Sequence, residues 1–476
     1  MQQYYFLKKK YPFPDKKEML QILACVLLPN IIFLIVALYA SISRPIINID
    51  YLIALFFLLI PWWGSRILGI TLLVIAMLFD GLMLVIQVFP FMDLAAIRYL
   101  LPFVSIAPTN YLVAIAGFIL CTCSILGLSL YFTRLQKVPY PQFIVIFLLI
   151  LCYPIMTLGF TYAKFNAILG RDNYYIAHSQ SWLYREMTKS HFWEATSIIP
   201  KLAPLSPAQQ RATTQLQQPS SAKILYIVAE SWGDLSNAEA QKAVLSSIDV
   251  QQEKFEFISH GTFKTSGATV AGELRELCGL ELQNEGFALK KLNKKQFEGC
   301  LPYQLAQKSY AAFALHGTSG LLYDRTDWYK KAGFQQTWFG ENFMGLRRCT
   351  AFKGVCDSEL MKEVGQTFKK NDTQKIFFYW MTLTSHQPYS EKDIHNHRFD
   401  CKKYNMKATG DACHNAQLQT QFFDDLAKLI QKPEMQGVEV MVVGDHRPPM
   451  WGNEVEHIRP LTVAYLHFKV KATGAK

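Results

Sequence analysis

No charged residue occurs between Leu20 and Ile42, a stretch as long as the roughly 20 residues a helix needs to cross a bilayer core. Further apolar runs follow at Tyr51–Trp63, Ile67–Phe91 (which carries Asp80), Tyr111–Phe132 and Phe143–Ala163. The second run is short and ends at Pro61, so it is the weakest of the five. Buried helices of a soluble protein are the competing explanation, and five apolar runs in succession disfavour it. A cleavable signal peptide also fits poorly, because the first run is too long and no small-residue cleavage site follows. The pattern predicts an N-terminal α-helical transmembrane bundle of about five spans, with a sixth, half-buried segment around Leu94–Val104.

Beyond residue 222 the pattern is that of a globular domain. The 51% hydrophobic content, 18% charged content and mean hydropathy of +0.10 are therefore averages over two unlike parts. They exclude a disordered protein and a small disulfide scaffold. The chain divides into a transmembrane region (1–163), a connector (164–221) and a globular domain (222–476). Within the connector, the aromatic and basic stretch Tyr174–Trp193 reads equally as a helix lying on a membrane surface or as one packed on the globular domain. The Pro-, Gln- and Ser-rich stretch Lys201–Ser221 reads as a semi-extended linker.

Loop charges set the orientation. Lys8, Lys9, Lys10, Lys16, Lys17, Arg66, Arg134 and Lys137 lie on one side of the spans, against Arg44 and Arg98 on the other. The positive-inside rule puts the N-terminus in the cytoplasm, and an odd number of spans sends the C-terminal domain outside. Cysteine usage agrees: Cys25, Cys121, Cys123 and Cys152 fall in the apolar runs, and six others fall in the C-terminal domain. An even set in an extracytoplasmic domain suggests three disulfides, with 278–300, 349–356 and 401–413 the simplest of the possible pairings. Reduced, buried thiols are the alternative.

Three apolar strands are expected in the globular domain, at Ile224–Val228, Ile376–Leu383 and Val438–Val443. They end respectively in Glu230, in Thr384-Ser385-His386 and in Asp445-His446. Helical patterns intervene at Leu301–Lys308, Asp357–Lys369 and Ala416–Gln431. The class is α/β with a mainly parallel sheet, and polar side chains at the C-terminal strand ends are where such sheets build sites. Glu230, Asp445 and His446 are ligand types suited to Zn²⁺ or Mn²⁺. Thr262, Thr265, Ser266 and Thr269 are candidate nucleophiles on a turn running into a helix, where a metal could lower a hydroxyl pKa. For any one of them a plain N-cap is the simpler reading.

The segment T-V-A-G-E-L at 269–274 with Cys278-Gly279, the segment T-L-T-S-H-Q-P-Y at 382–389, and the order Glu230, Thr269, His386, Asp445-His446 carry a resemblance. They resemble the membrane-anchored phosphoglycerol and phosphoethanolamine transferases of the alkaline phosphatase/sulfatase superfamily, including lipoteichoic acid synthase and periplasmic glucan phosphoglycerol transferase. The membrane part matches in layout rather than motif. The resemblance implies a sulfatase-like catalytic domain in which Glu230, Thr269, Asp445 and His446 hold one divalent metal. It makes Thr269 the nucleophile and His386 the active-site histidine, with His386 and His457 the candidates for a second metal or phosphate site.

His316-Gly317 followed by L-Y-D-R at 322–325 is similar to the headgroup-binding region of lipoteichoic acid synthases. This implies substrate contacts from His316, Tyr323 and Arg325, whose guanidinium fork suits phosphate. An Arg325 ion pair with Asp324 or Asp327 is the competing reading. R-C-T…G-V-C-D at 348–357 instead resembles a disulfide loop of phosphoethanolamine transferases. A sulfatase activity is not expected, because no C/S-x-P-x-R sequence surrounds Thr269.

The implied reaction moves a phospholipid headgroup, phosphoglycerol from phosphatidylglycerol by preference, through a phospho-threonine to an extracytoplasmic glycan or glycolipid. Phosphatidylethanolamine with lipopolysaccharide or another glycan is the alternative. The implied location is the bacterial inner membrane, multi-pass, with a periplasmic catalytic domain. The net charge of +11 favours anionic lipid and glycan, and an extracytoplasmic domain argues against nucleic acid. A non-catalytic membrane-anchored relative that binds lipid or a partner is the alternative of another class.

Overall fold

The computed structural model describes residues 15–40, 44, 47–60, 62–89, 94–134, 144, 146–148, 176–177, 197–206, 210–216, 219–265, 267–284 and 286–472. Two compact units make up the chain: Met1–Gln87 with Ala114–Phe192, and Val88–Val113 with Trp193–Lys476.

The N-terminal region is helical: α1 (Lys16–Ala40), α2 (Ile49–Leu59) and α3 (Trp63–Val88), then α4 (Leu94–Leu100) and α5 (Thr109–Arg134). Among the described residues, the three helices α1, α3 and α5 are long and apolar enough to cross a membrane. The run expected as a second span is α2, whose 11 residues reach about 16 Å, half a hydrocarbon core. It stops where Ile60 turns extended (ψ 123°), the conformation a following proline imposes. The segment expected near Leu94–Val104 is α4 with a 3₁₀ turn at Leu101–Ile106. The run at Phe143–Ala163 and the stretch Tyr174–Trp193 lie almost wholly outside the described residues.

The first unit encloses charge. Arg44 donates to Asp80 through Nη2 (2.6 Å) and Nε (3.2 Å), and to Asn30 Oδ1 through Nη2 (2.8 Å). The Tyr51 hydroxyl donates to Asp80 Oδ2 at 2.7 Å, and all four side chains are buried. Charges this deep in an apolar bundle persist only when paired.

The second unit is built on an eight-stranded sheet. Its strands are β1 (Lys223–Ala229), β2 (Gly233–Leu235), β3 (Phe255–Lys264), β4 (Ala311–His316), β5 (Gln336–Trp338), β6 (Ile376–Met381), β7 (Glu439–Gly444) and β8 (Ile458–Val470). The order is β2-β8-β7-β1-β6-β4-β5, with β3 also pairing β8. The five consecutive strands β7, β1, β6, β4 and β5 are parallel, and β8 joins them antiparallel to β7. The sheet is therefore mixed, with the mainly parallel part the sequence predicts: β8 returns antiparallel to β7, and β2 and β3 pair antiparallel to it.

Alternation along the central strands feeds two cores. Leu225, Ile227, Phe378 and Trp380 face one, with α6 (Ala238–Asp249), Phe368 and Phe422; Tyr226, Val228, Phe377 and Tyr379 face the other, with α7 (Thr269–Cys278) and Trp328. Both faces are covered, so the strands read as continuous apolar runs. Each fully buried Phe, Leu or Ile contributes about 1.5–3 kcal/mol. The remaining helices are α8 (Leu301–Gln307), α9 (Arg325–Lys331), α10 (Asp357–Lys370) and α11 (Asp411–Leu429). Disulfides join Cys278–Cys300, Cys349–Cys356 and Cys401–Cys413, the pairings expected from sequence.

The stretch read as a linker is more structured than its composition suggests. Leu202–Pro204 pairs antiparallel with Leu280–Leu282, and Ala212–Leu216 forms a 3₁₀ turn. Ser220 donates to Glu439 Oε2 through its N–H (2.8 Å) and hydroxyl (3.0 Å), and His467 lies 2.8 Å from Glu439 Oε1.

Two outcomes follow from these buried charges. Asp80→Ala strands Arg44 in the bundle and is expected to cost about 3–5 kcal/mol, read as loss of resistance to denaturing detergent. Burial alone would raise the Glu439 carboxyl, but hydrogen bonds from His467 and Ser220 outweigh it and hold it below the usual value. Its stability contribution is present above the unfolded value, about 4.3, and is lost as pH falls through the lower folded value. The melting temperature of Glu439→Gln should accordingly fall less steeply with acid than that of the wild type.

Candidate active site

Four parallel strands deliver polar residues at one edge of the sheet. β1 runs into Glu230, β4 ends in His316, β6 runs into Thr382–His386, and β7 runs into Asp445-His446. On the neighbouring helix α7, Thr269 is the first residue, and the N-cap, Ala268, makes no side-chain cap. The Thr269 hydroxyl is thus not spent on capping: it donates to Glu230 Oε2 at 3.2 Å and lies 3.4 Å from His446 Nε2. Thr262 sits in β3, paired with Ala464, and Thr265 accepts a hydrogen bond from Arg275. Ser266 lies outside the described residues.

Glu230, Asp445 and His446 are buried, with one ligand atom of each within 4.8 Å of the others. His446 Nε2 is 3.3 Å from Asp445 Oδ2 and 3.6 Å from Glu230 Oε1. Asp445 Oδ1 accepts the N–H groups of Ser231 and His446 (2.7 Å each), while Oδ2 is buried without a hydrogen-bond donor. His446 Nδ1 faces the Arg447 carbonyl at 2.9 Å. A carbonyl only accepts, so Nδ1 carries the hydrogen and Nε2 presents a lone pair. The four side chains therefore converge: Thr269 Oγ1 lies near Glu230 Oε2 and His446 Nε2, and His446 Nε2 lies near Glu230 Oε1 and Asp445 Oδ2, all at 3.2–3.6 Å. Carboxylate oxygens, an imidazole nitrogen and a hydroxyl are ligand types that zinc and similar divalent ions take. The donor set fits a divalent metal, and Glu230, Asp445, His446 and Thr269 would hold it.

The surrounding chain fixes these groups. Ser231 adopts φ 53°, a strained turn for a non-glycine residue that aims Glu230. The Glu230 carbonyl accepts from Ser385 Oγ (2.6 Å) and Gln419 Nε2 (2.9 Å), and its N–H donates to Thr382 Oγ1 (2.8 Å). A Cβ on Gly272 would fall 2.8 Å from the Asp445 carbonyl oxygen, so only glycine lets α7 approach this loop. Asp357, at the start of α10, accepts the N–H of Thr384 (2.7 Å) and of Leu383, holding the loop that leads to His386.

Electrostatics reflect the crowding. Burial pushes Glu230 up, and burial together with the Glu230 charge pushes Asp445 up to about 7. Desolvation would lower His446, but the Asp445 and Glu230 carboxylates outweigh it and raise it. His386 is lowered to about 4 by desolvation, and its Nδ1 faces the Gln387 carbonyl. His316 is likewise lowered by burial, with Nδ1 facing the Met381 carbonyl at 2.9 Å. Both rings thus stay neutral at pH 7 and present Nε2. Phe352 lies edge-on to His386, with ring centroids 4.7 Å apart.

Arg325 does not pair with Asp324 or Asp327. Its Nε and Nη2 donate to Glu273 Oε2 (2.9 and 2.8 Å), and its guanidinium lies over the Tyr323 ring at 5.1 Å. Tyr329 and Tyr379 also donate to Glu273 Oε1. Tyr323 and Asp324 both take positive φ (58° and 52°), so the segment is held in a sparsely populated conformation. Tyr99 of α4 stacks on Tyr323, with rings nearly parallel (4°) and centroids 6.4 Å apart. His457 ends a 3₁₀ turn, where its carbonyl accepts the Ser236 N–H, and it is not among the grouped ligands.

Several supporting residues escaped the sequence reading. Tyr99 and Ser231 carry no motif. Gln419 does leave a signal, since Asn415, Gln417, Gln419 and Gln421 alternate along a largely buried stretch of helix. Uncharged amides in such a place need partners, and the Glu230–Ser231 turn supplies acceptors for two of them.

A family model described as Sulfatase matches residues 222–462, half of the chain. The chain belongs to the sulfatase family. No curated protein matches it. Among solved structures it is similar to the integral membrane lipooligosaccharide phosphoethanolamine transferase A (EptA) from Neisseria meningitidis. The identity is 14%, the match covers 93% of this chain and 89% of that one, and the TM-score is 0.41. It is also similar to the lipoteichoic acid synthase LtaP from Listeria monocytogenes (15% identity, 53% of this chain and 66% of that one, TM-score 0.40). A third is the Streptococcus pyogenes phosphoglycerol transferase GacH in complex with sn-glycerol-1-phosphate (14%, 52% and 68%, TM-score 0.36). The chain thus spans under two-thirds of the length of LtaP.

For this sulfatase-family site, the purified protein is expected to bind one divalent ion per chain. Glu230→Gln should weaken Zn²⁺ or Mn²⁺ binding at least 100-fold in a chelator competition, since one charged ligand becomes a neutral amide.

Proposed function

We propose that the protein transfers a phospholipid headgroup, phosphoglycerol by preference, to a glycan or glycolipid outside the cytoplasmic membrane by way of phospho-Thr269. The observation that carries this reading is the Thr269 hydroxyl, which stands uncapped at the start of a helix between Glu230 (3.2 Å) and His446 (3.4 Å). A binding module has no use for a hydroxyl so placed, which counts against the non-catalytic alternative.

When bound by Glu230, Asp445, His446 and Thr269, a divalent ion would supply Lewis acidity that eases loss of the Thr269 hydroxyl proton. The chain's own groups do the rest. In the first half-reaction Thr269 Oγ1 forms a bond to phosphorus and the bond to diacylglycerol oxygen breaks. The proton Thr269 loses is matched by the one diacylglycerol gains. The N-terminal N–H groups of α7 favour the anionic phosphate. In the second, an acceptor hydroxyl attacks phosphorus, the Thr269 ester breaks and Thr269 regains a proton. Neutral His386, with Nδ1–H committed to Gln387, offers Nε2 to take the acceptor's proton. His316 Nε2 is a second polar group for the phosphate. The Glu273 pair leaves Arg325 Nη1, 3.4 Å from the Leu322 carbonyl, as a donor for a headgroup oxygen beside Tyr323.

Phosphoethanolamine transfer is the second reading, and the Cys349–Cys356 loop favours it. A second metal at His386 and His457 belongs with that reading. The donor lies in the membrane that the N-terminal helices occupy, and the periplasmic face of a bacterial inner membrane is the proposed location.

The test is incubation of the protein with headgroup-labelled phosphatidylglycerol or phosphatidylethanolamine, followed by mass spectrometry of the Thr269 peptide. A glycerol-phosphate adduct is expected, and Thr269→Ala should lose turnover by at least 10³-fold while keeping its melting temperature. A phosphoethanolamine adduct would establish the second reading. No adduct and no diacylglycerol release with either metal supplied would remove the enzyme reading.

A further inference from the structure

One buried cation joins the helix that carries the candidate nucleophile to the loop that carries the candidate ligands. Arg275 lies on α7, six residues after Thr269, and is almost wholly buried. Its Nη2 donates to the Gly444 carbonyl (2.9 Å), and its Nη1 donates to the Asp445 carbonyl (3.0 Å) and to Thr265 Oγ1 (2.8 Å). Its Nε donates to Glu276 Oε1 at 2.7 Å, and the guanidinium lies over the Phe263 ring at 5.4 Å. The far oxygen of Glu276, Oε2, is held by the Tyr226 hydroxyl (2.8 Å) and the Thr213 N–H (3.2 Å). Glu276 is therefore fixed on both sides, and it fixes Arg275 in turn.

We propose that Arg275 is a positioning residue: it holds the Gly444–Asp445 backbone against α7 and so sets the distance between the Thr269 hydroxyl and the Asp445-His446 ligand pair. The inference rests on the metal-dependent reading above. Its physical basis is the planar fork of the guanidinium, which reaches two successive carbonyls at once; the single ammonium of lysine cannot reproduce that geometry. Arg275 makes no hydrogen bond to the ligands' donor atoms; it holds the loop through the Gly444 and Asp445 carbonyls, and because removing its charge would by itself favour a cation, a loss of metal affinity reports the positioning role. The same loop closely approaches Gly272, where a Cβ would lie 2.8–2.9 Å from Asp445 atoms. Contact at Gly272 sets how near the loop can come, and Arg275 keeps it from moving away. A misplacement of about 1 Å at a reacting centre can cost 10²-fold in rate.

The full-length protein, reconstituted in lipid nanodiscs and stripped of metal, tests this. Three quantities are read: affinity for Zn²⁺ and for Mn²⁺ by chelator competition, melting temperature without metal, and the rate of Thr269 modification at saturating metal. Arg275→Met is expected to weaken binding of both ions at least tenfold and to slow Thr269 modification at least tenfold, with KM for the lipid donor within threefold of wild type. Arg275→Lys should recover only part of either loss. Wild-type metal affinity and modification rate in Arg275→Met would overturn the proposal, whatever its melting temperature, because a merely structural role moves melting alone. If Arg275→Met does not fold, Glu276→Gln takes its place: it keeps the shape and removes the charge that orients Arg275, and unchanged metal affinity in that folded variant overturns the proposal too. A wild-type protein that binds neither ion removes the metal-dependent reading itself, and this inference with it.

Discussion

Three acceptor-bearing side chains forced to face one another in a buried place are the constraint around which the catalytic unit is arranged. Left alone, Glu230 and Asp445 repel, and each loses its hydration on burial. Among the described residues, the ion-pair partner that the two share is the His446 imidazole. The geometry is nonetheless held rigidly. Asp445 Oδ1 is pinned by two backbone N–H groups, the Glu230 carbonyl is held by Ser385 and Gln419, and Ser231 keeps an unfavourable φ. Strain and desolvation maintained by so many separate contacts indicate a site shaped for something that arrives positively charged.

The scaffold explains how such a site stays in register. Parallel strands β1, β6 and β7 are adjacent, so their C-terminal ends bring Glu230, the 382–386 loop and Asp445 to one edge. The two apolar cores on either face hold those strands flat against helices that reach the same edge, α7 from one side and α11 from the other. The helix supplying Thr269 packs backbone to backbone at Gly272, which leaves no slack between the hydroxyl and the ligands.

What could be read from the sequence follows the same logic. Long apolar runs ending in a charged or small polar residue revealed β1, β6 and β7 and with them Glu230, His386, Asp445 and His446. Period and termination are local properties, and the sheet edge follows from them. The disulfides were legible because each joins cysteines near in sequence, at separations of 22, 7 and 12 residues. The antiparallel strands β2, β3 and β8 were not, since β3 is exposed at alternate and adjacent positions and shows no clean period. Nor was the pairing of Arg325 with Glu273, whose residues lie 52 apart and meet only once α7 and α9 pack. The α2 helix misled because apolar composition suggested a span where Pro61 limits the length.

Charge pairing also distinguishes this site from three other buried carboxylates, those of Asp80, Glu273 and Glu276. Asp80 has Arg44, Glu273 has Arg325, and Glu276 has Arg275. Each pair is complete within the chain and accepts further hydrogen bonds from tyrosine: Tyr51, Tyr329 with Tyr379, and Tyr226 respectively. Among the described residues, Glu230 and Asp445 have no arginine or lysine as a hydrogen-bond or ion-pair partner; their shared counterpart is one imidazole whose Nδ1 hydrogen points away to the Arg447 carbonyl. A fold able to bury three arginines against three carboxylates has placed none against these two. That difference is what a group able to hold a cation between Glu230, Asp445 and His446 would show.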